Sequence, residues 1–335
     1  MYNPSYSPYA PAYNHHAKPA TSPRFHQLHS EDDDAVRAEI ERGLRAERPS
    51  ISPKFLYDEL GSHLFAAITQ LPEYYPTRCE RQIVERYAAE ISRHVGPVRS
   101  LIDLGAGDCA KAERLFPYLA PAQYVPVDIS VEYLRQAVDR LGARYTDMDL
   151  VAVGTDFFET LNLPPDVGET ERLFFYPGSS IGNLAPDHAA ALLQRIRGAC
   201  DGGGLLIGVD LVKPRALLEP AYDDALGVTA AFNLNTLRHA NRIIDADFDV
   251  ARWTHVAFYN EAQSRIEMHL QAEADLTVTW PRGQRRFARG QRIHTENSYK
   301  YWPSTFKAML ERAGFHHVRY WTDDREWFAL FSARG

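Results

Sequence analysis

The sequence predicts an α/β protein built on a doubly wound, largely parallel sheet, with an α+β unit inserted before the last strands. Two observations lead to this prediction. Between about 98 and 212, short apolar runs alternate with stretches of helical character, a pattern typical of strands that are buried on both faces and joined by crossover helices. After Leu211 the alternation stops, and it resumes only near the C-terminus. The segment between Leu211 and the C-terminal strands should therefore fold as a separate unit.

The N-terminal segment interleaves prolines with tyrosines and shows neither helical nor strand periodicity. We therefore predict a disordered tail over residues 1–28. Its histidines at His15, His16, His26 and His29 have no cysteine neighbours and no fixed spacing, so a mobile leader is a better interpretation than a metal-binding tract.

Residues 29–97 are predicted to form helices separated by short proline-rich turns. Ser30 precedes an acidic run and is suited to cap the first helix, because a serine oxygen accepts backbone N–H groups and negative charge favours a helix N-terminus. A longer helix should follow Thr77. The apolar residues that recur there at helix spacing are Ile83, Val84, Tyr87, Ala88 and Ile91.

The predicted sheet is formed by segments 98–212 and 301–335. Its parallel strands are the runs SLIDLGAGD, QYVPVDIS, DLVAVGTDF, RLFFYPGSS and GLLIGVDL. At the C-terminus, a helix near 304–313 and the runs HHVRYWT and WFALFSA are suited to close the sheet edge. The inserted unit, residues 213–300, combines a helical stretch around 216–240 with the strands THVAFYN, RIEMHLQA and DLTVTW.

Composition excludes several classes of protein. The 335 residues are 45% apolar and 24% charged, which is ordinary for a globular chain. The net charge of -7 has the wrong sign for a nucleic-acid-binding protein. Three dispersed cysteines provide neither a disulfide framework nor a zinc site. We find no signal peptide and no membrane span. We expect a cytoplasmic monomer that acts on a small molecule without a bound metal.

A nucleotide-type site is predicted where the first parallel strands end. Gly105 and Gly107 follow the first strand and permit a tight turn with close approach of a ligand to the backbone. Asp128 ends the second strand, about 20 residues further on, where a carboxylate can accept both hydroxyls of a ribose. These features fit both NAD and S-adenosylmethionine. The third strand ends in Asp156 and Phe157, an acceptor and an aromatic ring suited to adenine, and this pattern favours S-adenosylmethionine.

Longer blocks extend well beyond this cofactor pattern. Together they resemble the histidine-specific N-alpha-methyltransferase family of ergothioneine biosynthesis, from about residue 40 to the C-terminus. The blocks are KFLYDELGSHLF (54–65), LPEYYPTR (71–78), GSSIGN (178–183), DLVK (210–213), AYDD (221–224), GVTAAFN (227–233), RIEM (265–268) and HTENSYK (294–300). The resemblance implies a class I methyltransferase fold with an extra substrate domain. It also implies transfer of three methyl groups from S-adenosylmethionine to the α-amine of L-histidine, giving hercynine.

Carried over position by position, the resemblance implies the following roles. The cofactor residues are Gly105, Lys111, Asp128, Asp156 and Phe157, and Lys111 would pair with the methionyl carboxylate. Tyr74, Asn183 and Tyr222 would bind the carboxylate and amine of the amino acid, with Tyr57 close to the amine and the N-terminal helices contributing to the substrate site. Glu296 and Ser298 would bind the imidazole, Met268 would line the pocket, and Asn297 would contribute only a backbone contact.

The residue types are consistent with these roles, since Glu296 and Ser298 are two apart and share one face if the segment is a strand. A carboxylate and a hydroxyl can satisfy both nitrogens of an imidazole ring. Three alternatives stay open: a class I methyltransferase for another small amino acid or amine, a binding module without catalysis, and an NAD-dependent oxidoreductase. The loop GAGDCAK also departs from the family pattern, which often has Ser and Thr before the lysine, and this change would affect cofactor affinity.

Overall fold

The computed structural model of the protein describes residues 22–28, 33–158 and 160–335. The strands are β1 (Arg24–Gln27), β2 (Ser100–Leu104), β3 (Gln123–Asp128), β4 (Asp149–Gly154), β5 (Arg172–Tyr176), β6 (Gly204–Asp210), β7 (Trp253–Asn260), β8 (Arg265–Ala272), β9 (Leu276–Trp280), β10 (Gly283–Phe287), β11 (Arg292–Tyr299), β12 (His316–Thr322) and β13 (Phe328–Arg334). The helices are α1 (Asp33–Arg45), α2 (Glu59–Ile68), α3 (Tyr75–Val95), α4 (Ala110–Glu113), α5 (Phe116–Leu119), α6 (Val131–Arg144), α7 (Pro186–Ala199), α8 (Arg215–Leu218), α9 (Val228–Ile244) and α10 (Pro303–Arg312).

An eight-stranded sheet forms the centre of the molecule, in the order β1-β4-β3-β2-β5-β6-β13-β12. The strands from β1 to β6 run parallel, whereas β13 is antiparallel to both β6 and β12. The strand order reverses between β2 and β5, and ligands of open α/β sheets bind beyond the carboxyl ends of the strands at such a switch point. This topology confirms the predicted doubly wound sheet, including the closing strands at the C-terminus.

The sheet is stable because its strands are buried on both faces. All five residues of β2 and all seven of β6 are buried, and they divide between two apolar clusters on opposite faces of the sheet. Helix α3 packs against β13, burying Ile83, Val84, Ala88 and Ile91 as the periodicity predicts.

Strand β1 corrects the prediction of a disordered tail. Residues 24–27 pair in parallel with β4, so the prediction is wrong for this part of the segment. Arg24 binds Asp149 at 2.7 Å, and His26 Nε2 lies 3.0 Å from Asp166. A four-residue edge strand held by backbone pairing and ion pairs needs little apolar periodicity. Residues 1–21 and the proposed cap at Ser30 lie outside the described residues.

The inserted unit contains a three-stranded antiparallel sheet, β11-β8-β7, and the hairpin β9-β10, so the predicted α+β character is confirmed. Its apolar core includes residues of α9 together with Ile40 and Leu44 of α1. Helix α1 therefore packs with the insertion, although it lies far from it in sequence. A backbone bridge joins Ser50 to His294 and so ties the insertion to the N-terminal segment, and a second bridge joins Leu211 to Tyr301, which flank the insertion on either side.

Within the described ranges, none of the helices has the length and apolar character that crossing a membrane requires.

Candidate active site

The loop between β2 and α4 forms one wall of the site. Gly105 and Gly107 have φ values of +70° and +53°, a region that L side chains rarely adopt. A Cβ atom built at either glycine would find no heavy atom within 4 Å, so the loop faces open space where a ligand can approach the backbone. Helix α4, which follows the loop, has only four residues.

Asp128 lies at the carboxyl end of β3 and faces this loop. Its Oδ2 accepts the N–H of Gly107 at 2.9 Å, and its Oδ1 accepts the N–H of Ser130 at 2.8 Å. Burial raises the pKa of Asp128, and the backbone N–H groups of Ser130 and Gly107 oppose that effect. The carboxylate is thus held in a fixed orientation beside the glycine loop, where a ribose would lie.

Asp156 and Phe157 follow β4 at the same edge of the sheet. Asp156 is buried, and its Oδ1 accepts the N–H of Phe158 at 2.9 Å. The Phe157 ring packs 4.4 Å from Phe158 and 5.7 Å from Tyr176, measured between centroids. Both predicted residues therefore lie next to the strand that carries Asp128, since β3 pairs with β4.

Lys111 has a partner that sequence reasoning missed. Its Nζ lies 2.9 Å from Glu80 Oε2 of α3, and Glu80 Oε1 accepts the N–H of Gly178 at 2.8 Å. Gly178 has a φ of +76°, a backbone conformation that favours glycine, and Lys111 Nζ lies close to it. Lys111 consequently stands between the glycine loop and the loop after β5, and a bound carboxylate would have to share it with Glu80.

A cavity of about 760 Å³ lies beside the ends of β3 and β4. Ile129, Gly154 and Thr155 form its sheet side, and Gln27 of β1 lies on its border. The glycine loop, Asp128 and Asp156 do not line this cavity themselves, but Ile129 and Thr155, the neighbours of Asp128 and Asp156, do. A carboxylate and open space beside the cavity are groups that an adenosyl moiety can use. Tyr57 lines this cavity and also the pocket described next.

That second pocket encloses about 470 Å³, including its mouth, at the junction of the sheet, the N-terminal helices and the insertion. Its lining combines aromatic and aliphatic side chains with several polar groups that converge on the same space. The predicted site residues that line it are Tyr57, Tyr74, Asn183, Tyr222, Met268, Glu296 and Ser298. The structure thus brings together residues from six separate segments of the chain.

Glu296 is the carboxylate of this pocket and is 7% exposed. Burial raises its pKa from 4.5 to about 7, although Lys300 and a hydrogen bond from Asn183 draw it down. Glu296 pairs with Met268 across β11 and β8, which places Met268 beside it. Asn183 ends a short 3₁₀ helix, Ser180–Asn183, so it reaches Glu296 from the loop after β5.

Ser298 and Tyr222 form a second polar group. Their hydroxyl oxygens are 2.7 Å apart, and Lys300 Nζ lies 2.8 Å from Tyr222 OH and 2.7 Å from Ser298 Oγ. Tyr222 is held in place because Asp224, two residues on, caps α9 by accepting the N–H groups of Val228 and Thr229.

The tyrosines of the pocket are neutral. Burial raises the pKa values of Tyr57, Tyr74 and Tyr222 well above the usual value. The Tyr74 and Tyr222 rings meet edge to face at 6.4 Å, and Tyr57 meets Phe232 in the same way at 5.5 Å. Each phenol is therefore a hydrogen-bonding group with a fixed ring.

Asn297 lies on the other face of β11. Its Oδ1 lies 2.9 Å from His294 Nε2, and it does not appear among the residues that line the pocket. Its side chain therefore points away from Glu296, as alternation along a strand predicts.

Several functional residues were missed by sequence reasoning. Phe65, Ile68 and Phe232 line the pocket, but their helical spacing is the same as that of core residues. The buried cluster of Tyr75, Asp210, Lys213 and Lys300 below the pocket was also missed. Its only sequence signal was the charged ends of the DLVK and HTENSYK blocks.

Comparison with known proteins agrees with the motif resemblance. A family model described as a SAM-dependent, histidine-specific methyltransferase matches residues 36–335. The histidine N-alpha-methyltransferase of Mycolicibacterium smegmatis is 40% identical over 311 residues, which cover 89% of this chain and 94% of that protein. A Mycobacterium tuberculosis protein of the same name is 39% identical over 310 residues, covering 88% and 94%. Among solved structures, the CcbJ methyltransferase from Streptomyces caelestis aligns at 14% identity with a TM-score of 0.44, covering 76% of this chain and 90% of that one.

Proposed function

Because the chain belongs to the histidine-specific, SAM-dependent methyltransferase family, we propose that it trimethylates the α-amine of L-histidine to hercynine, the first step of ergothioneine biosynthesis. The observation that carries this proposal is the pair of polar groups in the pocket. Glu296 lies at one position and the Ser298 hydroxyl at another, in a pocket that combines aromatic and polar walls. A neutral imidazole ring needs one hydrogen-bond acceptor and one donor, and these groups supply both.

The amino-acid end of the substrate is assigned to Tyr74, Asn183 and Tyr222. They line the same pocket as Glu296, and they offer phenol and amide groups suited to a carboxylate and an amine. Tyr57 lies between this pocket and the cavity at the ends of β3 and β4. An amine held near Tyr57 would therefore face the cofactor side of the site.

The cofactor end is assigned to the glycine loop, Asp128, Asp156 and Phe157, with Lys111 beside them. S-adenosylmethionine supplies a sulfonium-bound methyl group that an amine lone pair can attack in line. The chain itself has to bind and orient the two reactants and keep water out of the site. Holding the reactants at attack distance removes much of the entropic barrier. At the junction the Tyr74 and Phe232 rings are buried and the Tyr57 ring is half-buried, and together they form an aromatic wall of the pocket.

The amine must lose a proton before each transfer. An α-amino group has a pKa of about 8, so a substantial neutral fraction exists near neutral pH and no strong base is required. The amide oxygen of Asn183 and the Tyr57 hydroxyl can each accept an amine hydrogen and orient the lone pair. Successive methylation adds bulk, which the unbranched side chain of Met268 can accommodate by changing rotamer.

Incubation with L-histidine and S-adenosylmethionine should give the trimethylated betaine, detected by mass spectrometry. In Glu296→Ala, kcat/KM for histidine should fall at least about tenfold, because a hydrogen bond to a charged group contributes about 1.5–3 kcal/mol. Phenylalanine and tryptophan should gain relative to histidine, since no carboxylate is left unpaired. Absence of any methylated histidine from the wild type would refute the function. If Glu296→Ala kept the wild-type preference for histidine over phenylalanine and tryptophan, the imidazole assignment would be refuted, and another small amino acid would be favoured as the substrate.

A further inference from the structure

Lys300 is a buried ammonium group with three acceptors and no exposed side-chain surface. Its Nζ lies 2.7 Å from Asp210 Oδ2, 2.8 Å from Tyr222 OH and 2.7 Å from Ser298 Oγ. An ammonium has three N–H donors and no acceptor, so this arrangement uses all of them. Two of the three acceptors line the substrate pocket.

The contacts of Lys300 restrict how the two hydroxyls can be arranged. Both oxygens accept from Lys300, and they also share a hydrogen bond of 2.7 Å in which one must donate to the other. A phenol is the stronger donor and an alkyl hydroxyl the stronger acceptor, so Tyr222 donates to Ser298. Ser298 Oγ then has both lone pairs occupied, by Lys300 and by Tyr222. Its own proton is the one group left for a ligand in the pocket.

We propose that Lys300 is a positioning residue that makes Ser298 a hydrogen-bond donor toward the pocket, so that the site selects a ring with an unprotonated nitrogen there. The inference rests on the proposed function, because Glu296 is assigned the ring N–H in that function. With Lys300 in place, the two polar groups have opposite character: Glu296 accepts and Ser298 donates. A ring that lacks an unprotonated nitrogen leaves the Ser298 proton without a partner, and an unsatisfied buried donor weakens binding.

Lys213 provides a matched control within the same cluster. It is also buried, and its Nζ contacts Asp210 Oδ1 at 2.5 Å and Tyr75 OH at 3.0 Å. Neither Tyr222 nor Ser298 is among its contacts in the described chain. Because Asp210 pairs with both lysines, removing either one leaves the carboxylate with a partner. Lys300→Met and Lys213→Met therefore remove the same charge from the same cluster, and only the first removes a donor from the hydroxyl pair.

The test compares L-histidine with a pyrrolylalanine, whose five-membered ring has an N–H but no unprotonated nitrogen. Wild type should strongly prefer histidine. Lys300→Met should lower kcat/KM for histidine at least about tenfold, the factor expected for one lost hydrogen bond in a buried site, and should affect the pyrrole substrate much less. Lys213→Met should affect both substrates alike. In a Ser298→Ala background, Lys300→Met should change the histidine preference little further.

Thermal melting and the affinity for S-adenosylhomocysteine report the fold of each variant. If Lys300→Met does not melt cooperatively, Lys300→Gln takes its place, with the same direction of change expected. Suppose that the wild type methylates histidine. The positioning role alone is then overturned if Lys300→Met and Lys213→Met lose the preference for histidine over the pyrrole substrate equally, or if neither variant loses it. Failure of the wild type to methylate histidine would overturn the proposed function and this inference with it.

Discussion

Glu296 is a carboxyl group for which folding itself opposes ionisation. Its pKa is raised by burial to about 7, against 4.5 in the absence of burial. Below pH 4.5 both the folded and the unfolded state bind the proton, so the group has no effect on stability. Between pH 4.5 and 7 the unfolded state loses the proton while the folded state keeps it, so the folded state loses stability as the pH rises.

Glu296→Gln should therefore stabilise the protein in a pH-dependent way. The gain in free energy of unfolding over wild type should be near zero at pH 4 and rise to about 3 kcal/mol above pH 7, since one pKa unit corresponds to about 1.36 kcal/mol. Urea denaturation at several pH values measures it. Glu261→Gln, at an exposed position, is the control, and a gain that does not vary with pH in Glu296→Gln would contradict the argument.

Asp128 should contribute to cofactor affinity. Asp128→Asn keeps the shape of the side chain but removes the charge, and its amide can accept only one of the Gly107 and Ser130 N–H groups, because the NH2 group replaces the second acceptor. S-adenosylhomocysteine should bind more weakly by about 2 kcal/mol, within the range for a hydrogen bond to a charged group. Isothermal calorimetry measures the change. Asp108→Asn alters an exposed carboxylate in the same loop and should leave the affinity nearly constant; equal effects of both variants would argue against the ribose assignment.

At the scale of secondary structure, most of the body follows local patterns. The strands β3 and β6 occur where apolar runs predict them, because burial on both faces leaves a continuous apolar signal. Strands β8 and β12 also occur where expected, although β12 is largely exposed. The glycine loop lies directly after β2, where the sequence predicts it. Strand β1 has no such signal, since its pattern of exposure is mixed and its stability depends on a partner that lies more than 100 residues away.

Removing β1 should lower both the stability of the protein and its affinity for S-adenosylhomocysteine. Deletion of residues 1–28 takes away the pairing with β4, the Arg24–Asp149 ion pair and the Gln27 wall of the cavity. We expect the melting temperature to fall by at least about 2 °C and S-adenosylhomocysteine to bind more weakly. Deletion of residues 1–21 leaves β1 intact and is the control. If both deletions behave like wild type, β1 contributes neither to stability nor to the cavity.

At the scale of the whole molecule, the cluster around Asp210 connects the sheet to the insertion. Asp210 ends β6, Tyr75 begins α3, and Lys300 follows β11 directly. Burial alone would raise the pKa of Asp210, but Lys213 and Lys300 hold it below its usual value. The carboxylate is thus the common partner of groups from three parts of the chain.

Asp210→Asn should destabilise the protein strongly, because it leaves two buried lysines without a counter-charge. Loss of one partner of a buried ion pair costs about 3–5 kcal/mol, which chemical denaturation can measure. Arg86 and Asp324 form an exposed ion pair, and Asp324→Asn should cost about 1 kcal/mol or less. A similarly small effect of Asp210→Asn would show that the buried cluster does not hold the sheet and insertion together.

The sequence by itself determined the features that depend on local periodicity and on short motifs. These are the doubly wound sheet, the inserted unit, the glycine loop with Asp128, and the placement of Glu296 and Ser298 on one face of a strand. Periods of 2 and 3.6 residues are visible in a few neighbouring residues. The family resemblance rested on such short blocks as well.

Only the tertiary structure decided which distant groups meet. Tyr57, Asn183, Tyr222 and Glu296 belong to separate segments, and their arrangement around one pocket depends on how the insertion packs on the sheet. The pairing of Lys111 with Glu80, the donor character of Ser298 and the raised pKa of Glu296 depend on the same packing. Burial, charge and hydrogen-bond direction are properties of the assembled surroundings of a residue, and local sequence patterns do not specify those surroundings.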